Sequence, residues 1–145
     1  MNIQNLKESA DNGSTVSASM LGIFYLNGIE VEQDYDKALL YLSLASKERS
    51  PRAMANHGRM YEKGLGVAID LNRAAELYQD SAELGEFMPH VWLARMLVNA
   101  GYHEDALEYY EHALTFKEKV MECDELTEAS KYVELNKPAT SPSLG

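Results

Sequence analysis

Apolar side chains recur every three or four residues along most of the chain, which is the spacing of one face of an α-helix. The clearest case precedes Gly85, where Asp70 opens the stripe Leu71, Ala74, Ala75, Leu77, Tyr78 and Ala82. Asp70 is a suitable N-cap, because its carboxylate can accept hydrogen bonds from the free amides of the first turn. Residues 64–67 read Gly-Leu-Gly-Val, and glycines permit the positive φ angles that end a helix and turn the chain. With the small-residue pattern of residues 51–62, this predicts two antiparallel helices joined by a glycine turn.

The same pattern returns at an offset of 36 residues, as a shared set of glycines, aspartates and alanines shows: Gly22/Gly58, Gly28/Gly64, Asp34/Asp70 and Ala38/Ala74. A fixed period of this length indicates one helix pair copied along the chain, since a single pair cannot bury its own apolar stripe. In a third copy Tyr102 and Ala106 follow the second copy by 32 residues, so its turn is four residues shorter.

Residues 56–85, NHGRMYEKGLGVAIDLNRAAELYQDSAELG, resemble a Sel1-like repeat, whose pattern is LGxxYxxGxGVxxDxxKAxxxYxxAAxxG. Residues 20–49 match nearly as well, with Glu30 in place of the second glycine, and residues 99–114 are similar to the shorter tetratricopeptide repeat. The resemblance implies an all-α, right-handed α-solenoid of antiparallel helix pairs, of bacterial origin, that binds proteins on the concave face formed by the first helix of each pair.

We therefore expect one repeat domain over residues 1–135. Its predicted parts are a partial N-terminal helix (1–13), three repeats (about 14–49, 50–85 and 86–116), a C-terminal capping helix (about 117–135) and a disordered tail (136–145). The capping helix is expected to turn a polar face to solvent, comprising Glu122, Glu125, Glu128 and Lys131.

The net charge of −10 disfavours a nucleic-acid partner, because an acidic surface repels phosphates. From Tyr102 onward the sequence contains ten acidic and four basic side chains. No apolar run approaches the roughly 20 residues of a membrane span, and the N-terminus has no secretory pattern. The single cysteine, Cys123, fits a reducing compartment, so we expect a cytoplasmic protein.

The sequence gives little support for catalysis. The four histidines have no recognisable metal spacing, and Glu122 and Asp124 beside Cys123 disfavour its thiolate. Some secreted relatives of the resembling family act on β-lactams through paired cysteines, which this chain lacks, so we expect no enzyme, cofactor or metal. His57 takes the place of Leu21 and Leu93 in the other copies, which predicts a core histidine held by a hydrogen bond.

The binding surface follows from the resemblance, with the Gly22/Gly58/Ala94 column as origin. Inward-facing side chains are expected three and six residues before it and one, four and five after it, a set that includes Ser19, Leu26, Ala55 and Val91. The candidate groove residues from these positions are Asn27, Arg52, Arg59, Glu62, Lys63, Met88, Arg95 and Asn99. Four of them are basic, and arginine side chains read carboxylates well. Trp92 is a weaker candidate at the rim.

The main prediction is a non-catalytic adaptor, a monomer or weak dimer, that holds an acidic and apolar protein or peptide segment in this groove. The alternative at this surface is that its basic residues only pair with glutamates such as Glu62 and Glu86. A second hypothesis is a small immunity or regulatory protein that sequesters one partner through its acidic surface. A hydrolase is the alternative from another class.

Overall fold

The computed structural model describes residues 2–136, and every regular element within them is an α-helix. Most of the tail predicted over 136–145 lies outside the described residues, and Asn136 is the last residue of a helix. The helices are α1 (Ile3–Asp11), α2 (Thr15–Asn27), α3 (Tyr35–Lys47), α4 (Pro51–Lys63), α5 (Leu71–Glu83), α6 (Met88–Asn99), α7 (His103–Leu114) and α8 (Asp124–Asn136).

The repeated residues set the helix ends as the sequence predicted. The Asp70 carboxylate accepts a hydrogen bond from the Arg73 amide at 3.0 Å, which confirms it as the N-cap of α5. Asp34 does the same for α3 through the Lys37 amide at 3.1 Å. At the other end, Gly64 closes α4 in the left-handed region with φ 67°. These residues recur because each repeat must start and stop its helices at the same places.

Two non-glycine residues also adopt left-handed backbone conformations, Glu30 with φ 62° and Arg49 with φ 59°. Both stand where the next copy has a glycine of positive φ, Gly66 and Gly85 respectively. An L side chain in this region costs roughly 1–2 kcal/mol. The turn geometry of the repeat is therefore kept even where the residue best suited to it is absent.

The chain divides into two compact units, residues 1–89 and residues 90–145. In the first unit, small residues let paired helices approach closely. A Cβ added at Gly22 would lie 2.6 Å from Leu42 Cγ, and one added at Gly58 would lie 2.8 Å from the Tyr78 ring. Leu42 and Tyr78 are fully buried, so the glycine of each first helix makes room for a large buried side chain of the second.

The second unit contains most of α6 with α7 and α8, and its buried residues include Ala94, Ala106, Tyr110, Leu126 and Ala129. The helix predicted from about residue 117 begins only at Asp124, because the chain forms turns after α7.

The register of α8 is that of the first helix of a repeat. Ala129 follows Ala94 by 35 residues and, like Ala94, is completely buried. Tyr132 then takes the place that Tyr25 and Tyr61 hold, three residues after Gly22 and Gly58. We therefore assign α8 as the first helix of a fourth, partial copy.

Candidate protein-binding surface

In the first unit, α2 and α4 contact each other and carry matching rows of solvent-accessible side chains, which we call the α2/α4 face. Its positions lie six and two residues before and one and five residues after the Gly22/Gly58 column, the spacing of one helix face. The members are Val16, Met20, Ile23 and Asn27 on α2 and Arg52, Asn56, Arg59 and Lys63 on α4.

This face corrects one part of the predicted groove. Ser19, Ala55 and Val91, expected to face inward three residues before the column, have exposed fractions of 6%, 4% and 0%. Leu26, four residues after it, is 2% exposed. A side chain one residue further along a helix points about 100° away, so the column two residues before the glycine reaches solvent instead. That column holds Trp92, which is half-buried.

The α4 row is basic and partly unpaired. Arg52 and Lys63 are exposed, and neither has a carboxylate within ion-pair distance among residues 2–136. Arg59 is half-buried beside Tyr78. For Arg52 and Lys63 the structure therefore does not support pairing with neighbouring glutamates.

Glu62, another predicted groove residue, is half-buried at the edge of the same row. It accepts a hydrogen bond from the Tyr78 hydroxyl at 2.7 Å. Burial, followed by this hydrogen bond to a carboxylate, raises the pKa of Tyr78, so the hydroxyl stays protonated and keeps donating. Glu62 is thus engaged within its own repeat.

The α2 row is largely apolar. Val16 is 70% exposed, and Met20 and Ile23 are half-buried beside it along the helix. Asn27 is exposed, with its amide donating to the Ile23 carbonyl at 3.0 Å. Met88 is half-buried at the start of α6. The α2/α4 face therefore places an apolar row beside a basic one.

In the second unit Asn99 is exposed, and Arg95 is hydrogen-bonded to Glu128. The Arg95 guanidinium holds Glu128 of α8 by two nitrogens, Nε at 2.8 Å and Nη2 at 2.6 Å. The predicted solvent-facing position of Glu128 is therefore wrong: the carboxylate is half-buried, and it also accepts from the Tyr110 hydroxyl at 2.7 Å.

This pairing shifts the pKa values of both partners. Burial alone would raise the pKa of Glu128, but hydrogen bonds from Arg95 and Tyr110 outweigh it and lower the pKa. The same hydrogen bonding raises the pKa of Arg95. Sequence reasoning missed the contact because Glu128 stands in the column that Leu21, His57 and Leu93 occupy, and that register was not visible across the longer connection before α8.

His57 is buried as predicted, with 5% of its surface exposed. Its Nδ1 lies 3.2 Å from Ser46 Oγ, and its ring lies 5.2 Å from that of Tyr61. Its Nε2 is buried and has no hydrogen-bond partner among residues 2–136. Burial, followed by the positive charge of Arg73, lowers the pKa of His57 to about 4. The residue belongs to the core and not to the binding surface.

The first unit also contains a cavity of about 500 Å³. Its lining includes no serine, cysteine or histidine, so it holds no Ser–His or Cys–His pair. Asp34 in it already caps α3, and Lys37 lies over the Tyr25 ring at 5.3 Å. The residues that line the cavity are Lys7, Tyr25, Val31, Glu32, Gln33, Asp34 and Lys37.

The described part of the chain contains no helix with the length and apolar character needed to cross a membrane. Nor does it contain a group of three or more histidine, cysteine, aspartate or glutamate side chains placed to hold a metal ion.

A family model described as "Sel1 repeat" matches residues 15–50 and 51–86, the two copies that carry the glycine columns and the α2/α4 face. The chain is a Sel1-repeat protein. The matching family is a helical repeat, and it indicates no enzymatic activity.

Curated relatives match a little over half of the chain. The chain is 38% identical over 80 residues to the rat (Rattus norvegicus) protein "DAP3-binding cell death enhancer 1", which covers 55% of the chain and 15% of the relative. It is 34% identical over 76 residues to the mouse (Mus musculus) "Protein sel-1 homolog 2", which covers 52% of the chain and 11% of the relative. The match thus spans only a small part of these larger proteins.

Solved structures confirm the all-α helical-repeat fold. A Sel1 repeat protein from Oxalobacter formigenes superposes with a TM-score of 0.69 at 25% identity. The match covers 78% of the present chain and 48% of the Oxalobacter chain. The protective antigen c5321 of uropathogenic Escherichia coli is described as displaying an SLR fold. It superposes with a TM-score of 0.72 at 24% identity, and the match covers 90% of the present chain and 32% of the antigen.

Proposed function

We propose that this Sel1-repeat protein is a non-catalytic interaction module that binds a protein or peptide segment on the α2/α4 face. The observation that carries the proposal is the arrangement of Arg52, Arg59 and Lys63 on one side of α4 in a protein of net charge −10. A surface unlike the rest of the molecule is where electrostatic complementarity selects a partner.

The chemistry of the face defines the segment that fits it. Arg52 and Lys63 are exposed cations without an ion-pair partner among residues 2–136, and arginine reads carboxylates by paired hydrogen bonds. Val16, at 70% exposed, offers apolar area on the adjacent helix. A segment with acidic residues on one side and apolar anchors on the other matches both rows.

The relatives are consistent with a binding role. The rat protein that matches 80 residues of this chain is named for binding DAP3, so one relative of the chain is a protein-binding protein. We further propose that the chain works as a monomer or weak dimer without a cofactor. A reducing, cytoplasmic setting suits its single cysteine, Cys123.

Charge reversal on the face tests the proposal. We expect Arg52→Glu/Lys63→Glu to lose at least one protein that the wild type captures from a lysate of the source organism, with unchanged far-ultraviolet circular dichroism. Losing two charge-assisted contacts weakens binding by about 100-fold or more. The captured protein is identified by mass spectrometry, and its recombinant form is titrated against both variants.

Arg73→Glu is the matched control, since Arg73 is exposed on α5 and its one ion pair within the described residues is with Glu76 of the same helix. It makes the same kind of charge change off the face and should leave capture intact. Equal capture by the face variant and the wild type would rule out the α2/α4 face as the binding surface.

The second candidate, sequestration of a basic partner, rests on a different observation. The acidic side chains Glu104, Asp105, Glu108 and Glu111 are all exposed on α7. An acidic helix face attracts a basic partner and predicts the opposite response to charge changes.

A further inference from the structure

Three side chains on α6, α7 and α8 meet in one polar cluster in the second unit. The Arg95 guanidinium and the Tyr110 hydroxyl both donate to the Glu128 carboxylate, at 2.6–3.0 Å and 2.7 Å. A carboxylate held by a guanidinium fork and a hydroxyl is a strong, directional arrangement. We call Arg95 and Tyr110 the carboxylate clamp.

The preceding repeat shows what is unusual here. Its Tyr78 also donates to a glutamate, but that residue is Glu62 of the helix paired with it. The third copy has Val98 at the position of Glu62, four residues after the Gly58/Ala94 column. The carboxylate clamp therefore has no carboxylate at the matching position of its own repeat, and it binds Glu128 of α8.

Besides this contact, α8 buries few side chains. Leu126 and Ala129 are its buried residues, whereas most other repeat helices of the chain bury three or more. Tyr132 adds a ring contact to Tyr110, with centroids 4.6 Å apart. It also lies in hydrogen-bond contact with His103, 3.2 Å from the ring Nδ1.

The connection before α8 gives it freedom to separate. Residues 115–120 form turns and residues 121–123 have no regular structure, so nine residues link α7 to α8. Elements with few buried contacts and exposed connections are those that open first in a folded protein.

We propose that the carboxylate clamp is a second binding subsite, that α8 occupies it as an intramolecular ligand, and that a partner helix must displace α8 to reach it. The inference deepens the proposed binding function and rests on it for the existence of a partner. The occupant is a helical segment with a glutamate followed four residues later by an aromatic residue, as Glu128 and Tyr132 stand in α8.

The test uses the full chain and a synthetic peptide of residues 124–136 as the probe. In Glu128→Gln the carboxylate no longer holds Arg95, and α8 amides should exchange with deuterium about tenfold faster or more, since a hydrogen bond to a charged group is lost. The isotope-labelled variant should bind the peptide at a concentration about tenfold lower than the wild type, because α8 no longer competes as well. Nuclear magnetic resonance shifts at Arg95 Nε report the binding.

The matched control is Glu134→Gln, which neutralises an exposed glutamate of the same helix and should behave as wild type. A peptide with Gln at the Glu128 position should not shift Arg95 Nε, and a peptide with Gln at the Glu134 position should. Arg95→Lys, which keeps the charge but loses the fork, should release α8 and fail to bind the peptide.

Unchanged exchange of α8 in Glu128→Gln, or equal peptide binding by variant and wild type, would overturn the proposal. So would a variant with an open α8 that does not bind the peptide. These outcomes leave the α2/α4 face untouched, because that surface is tested separately by Arg52→Glu/Lys63→Glu. Conversely, loss of the proposed function would not alter the response of the carboxylate clamp to the peptide.

Discussion

Single residues carry much of what distinguishes the copies of this repeat. His57 is the clearest case, because it places an imidazole where Leu21 and Leu93 pack. Its Nδ1 lies 3.2 Å from Ser46 Oγ, but its buried Nε2 has no partner in the part of the chain that the structure describes. A buried polar atom left without a hydrogen bond costs about 1–3 kcal/mol.

His57 should make the stability of the protein depend on pH. Its pKa falls from 6.5 to about 4 on folding, so the unfolded chain binds a proton that the folded chain rejects. The free energy of unfolding is therefore highest above pH 6.5 and decreases as the pH falls towards 4. By pH 5 the loss is about 2 kcal/mol relative to neutral pH.

The variant His57→Leu should remove this part of the pH dependence and gain about 1 kcal/mol at pH 7. Urea unfolding at pH 7.5 and pH 5 measures both effects. The same slope in variant and wild type would assign the pH dependence to other groups, and a loss of stability at pH 7 would mean that the Ser46 contact outweighs the unpaired Nε2.

At the scale of whole helices, the repeated glycines determine how closely the pairs pack. Gly58 faces Tyr78, which is fully buried and tied to Glu62 by its hydroxyl. The ring cannot move away without losing that hydrogen bond. The contact between α4 and α5 is thus set by the absence of one methyl group.

We expect Gly58→Ala to destabilise the protein by about 1–2 kcal/mol, because overpacking outweighs the gain in helix propensity. Thermal or urea unfolding measures the change. Arg52→Ala, an exposed position of the same helix, should stay within about 0.5 kcal/mol of the wild type. A Gly58→Ala protein as stable as the wild type would show that the helices separate at little cost.

The sequence predicted these elements where its signal is local. Asp70 predicts the start of α5 because its carboxylate can cap the first turn, and Gly64 predicts the end of α4 because it can adopt a positive φ. The 36-residue period predicts the same helix ends in the first copy. The register of α8 was not predicted, because nine residues separate it from α7 and Glu128 replaces an apolar residue in the repeat pattern.

Among the positions predicted to line the groove, some reach solvent and others are buried. Arg52 and Lys63 are exposed, whereas Ala55 on the same helix is buried. Neighbouring positions differ by about 100° around the helix, so an error of one residue moves a side chain from the surface to the core. The repeat pattern alone does not determine which of two neighbouring positions faces solvent.

At the scale of the molecule, two surfaces of opposite charge compete as explanations of binding. The protein carries 23 acidic and 13 basic side chains, and Arg52, Arg59 and Lys63 lie together on α4. An acidic partner is attracted by the α2/α4 face and repelled by the rest of the protein. A basic partner experiences the reverse.

Neutralising acidic residues away from the α2/α4 face separates the two explanations. Glu108→Gln/Glu111→Gln/Glu118→Gln removes three exposed negative charges from α7 and the turn after it, taking the net charge from −10 to −7. If the partner is acidic, long-range repulsion falls, and the association rate at low salt should rise about two- to tenfold. If the partner is basic, the same variant should bind more slowly and lose much of its salt dependence.

Stopped-flow association at two ionic strengths, with the partner that Arg52→Glu/Lys63→Glu fails to capture, shows whether the association rate rises or falls. A slower association with that partner would move the binding surface from α4 to the acidic face of α7.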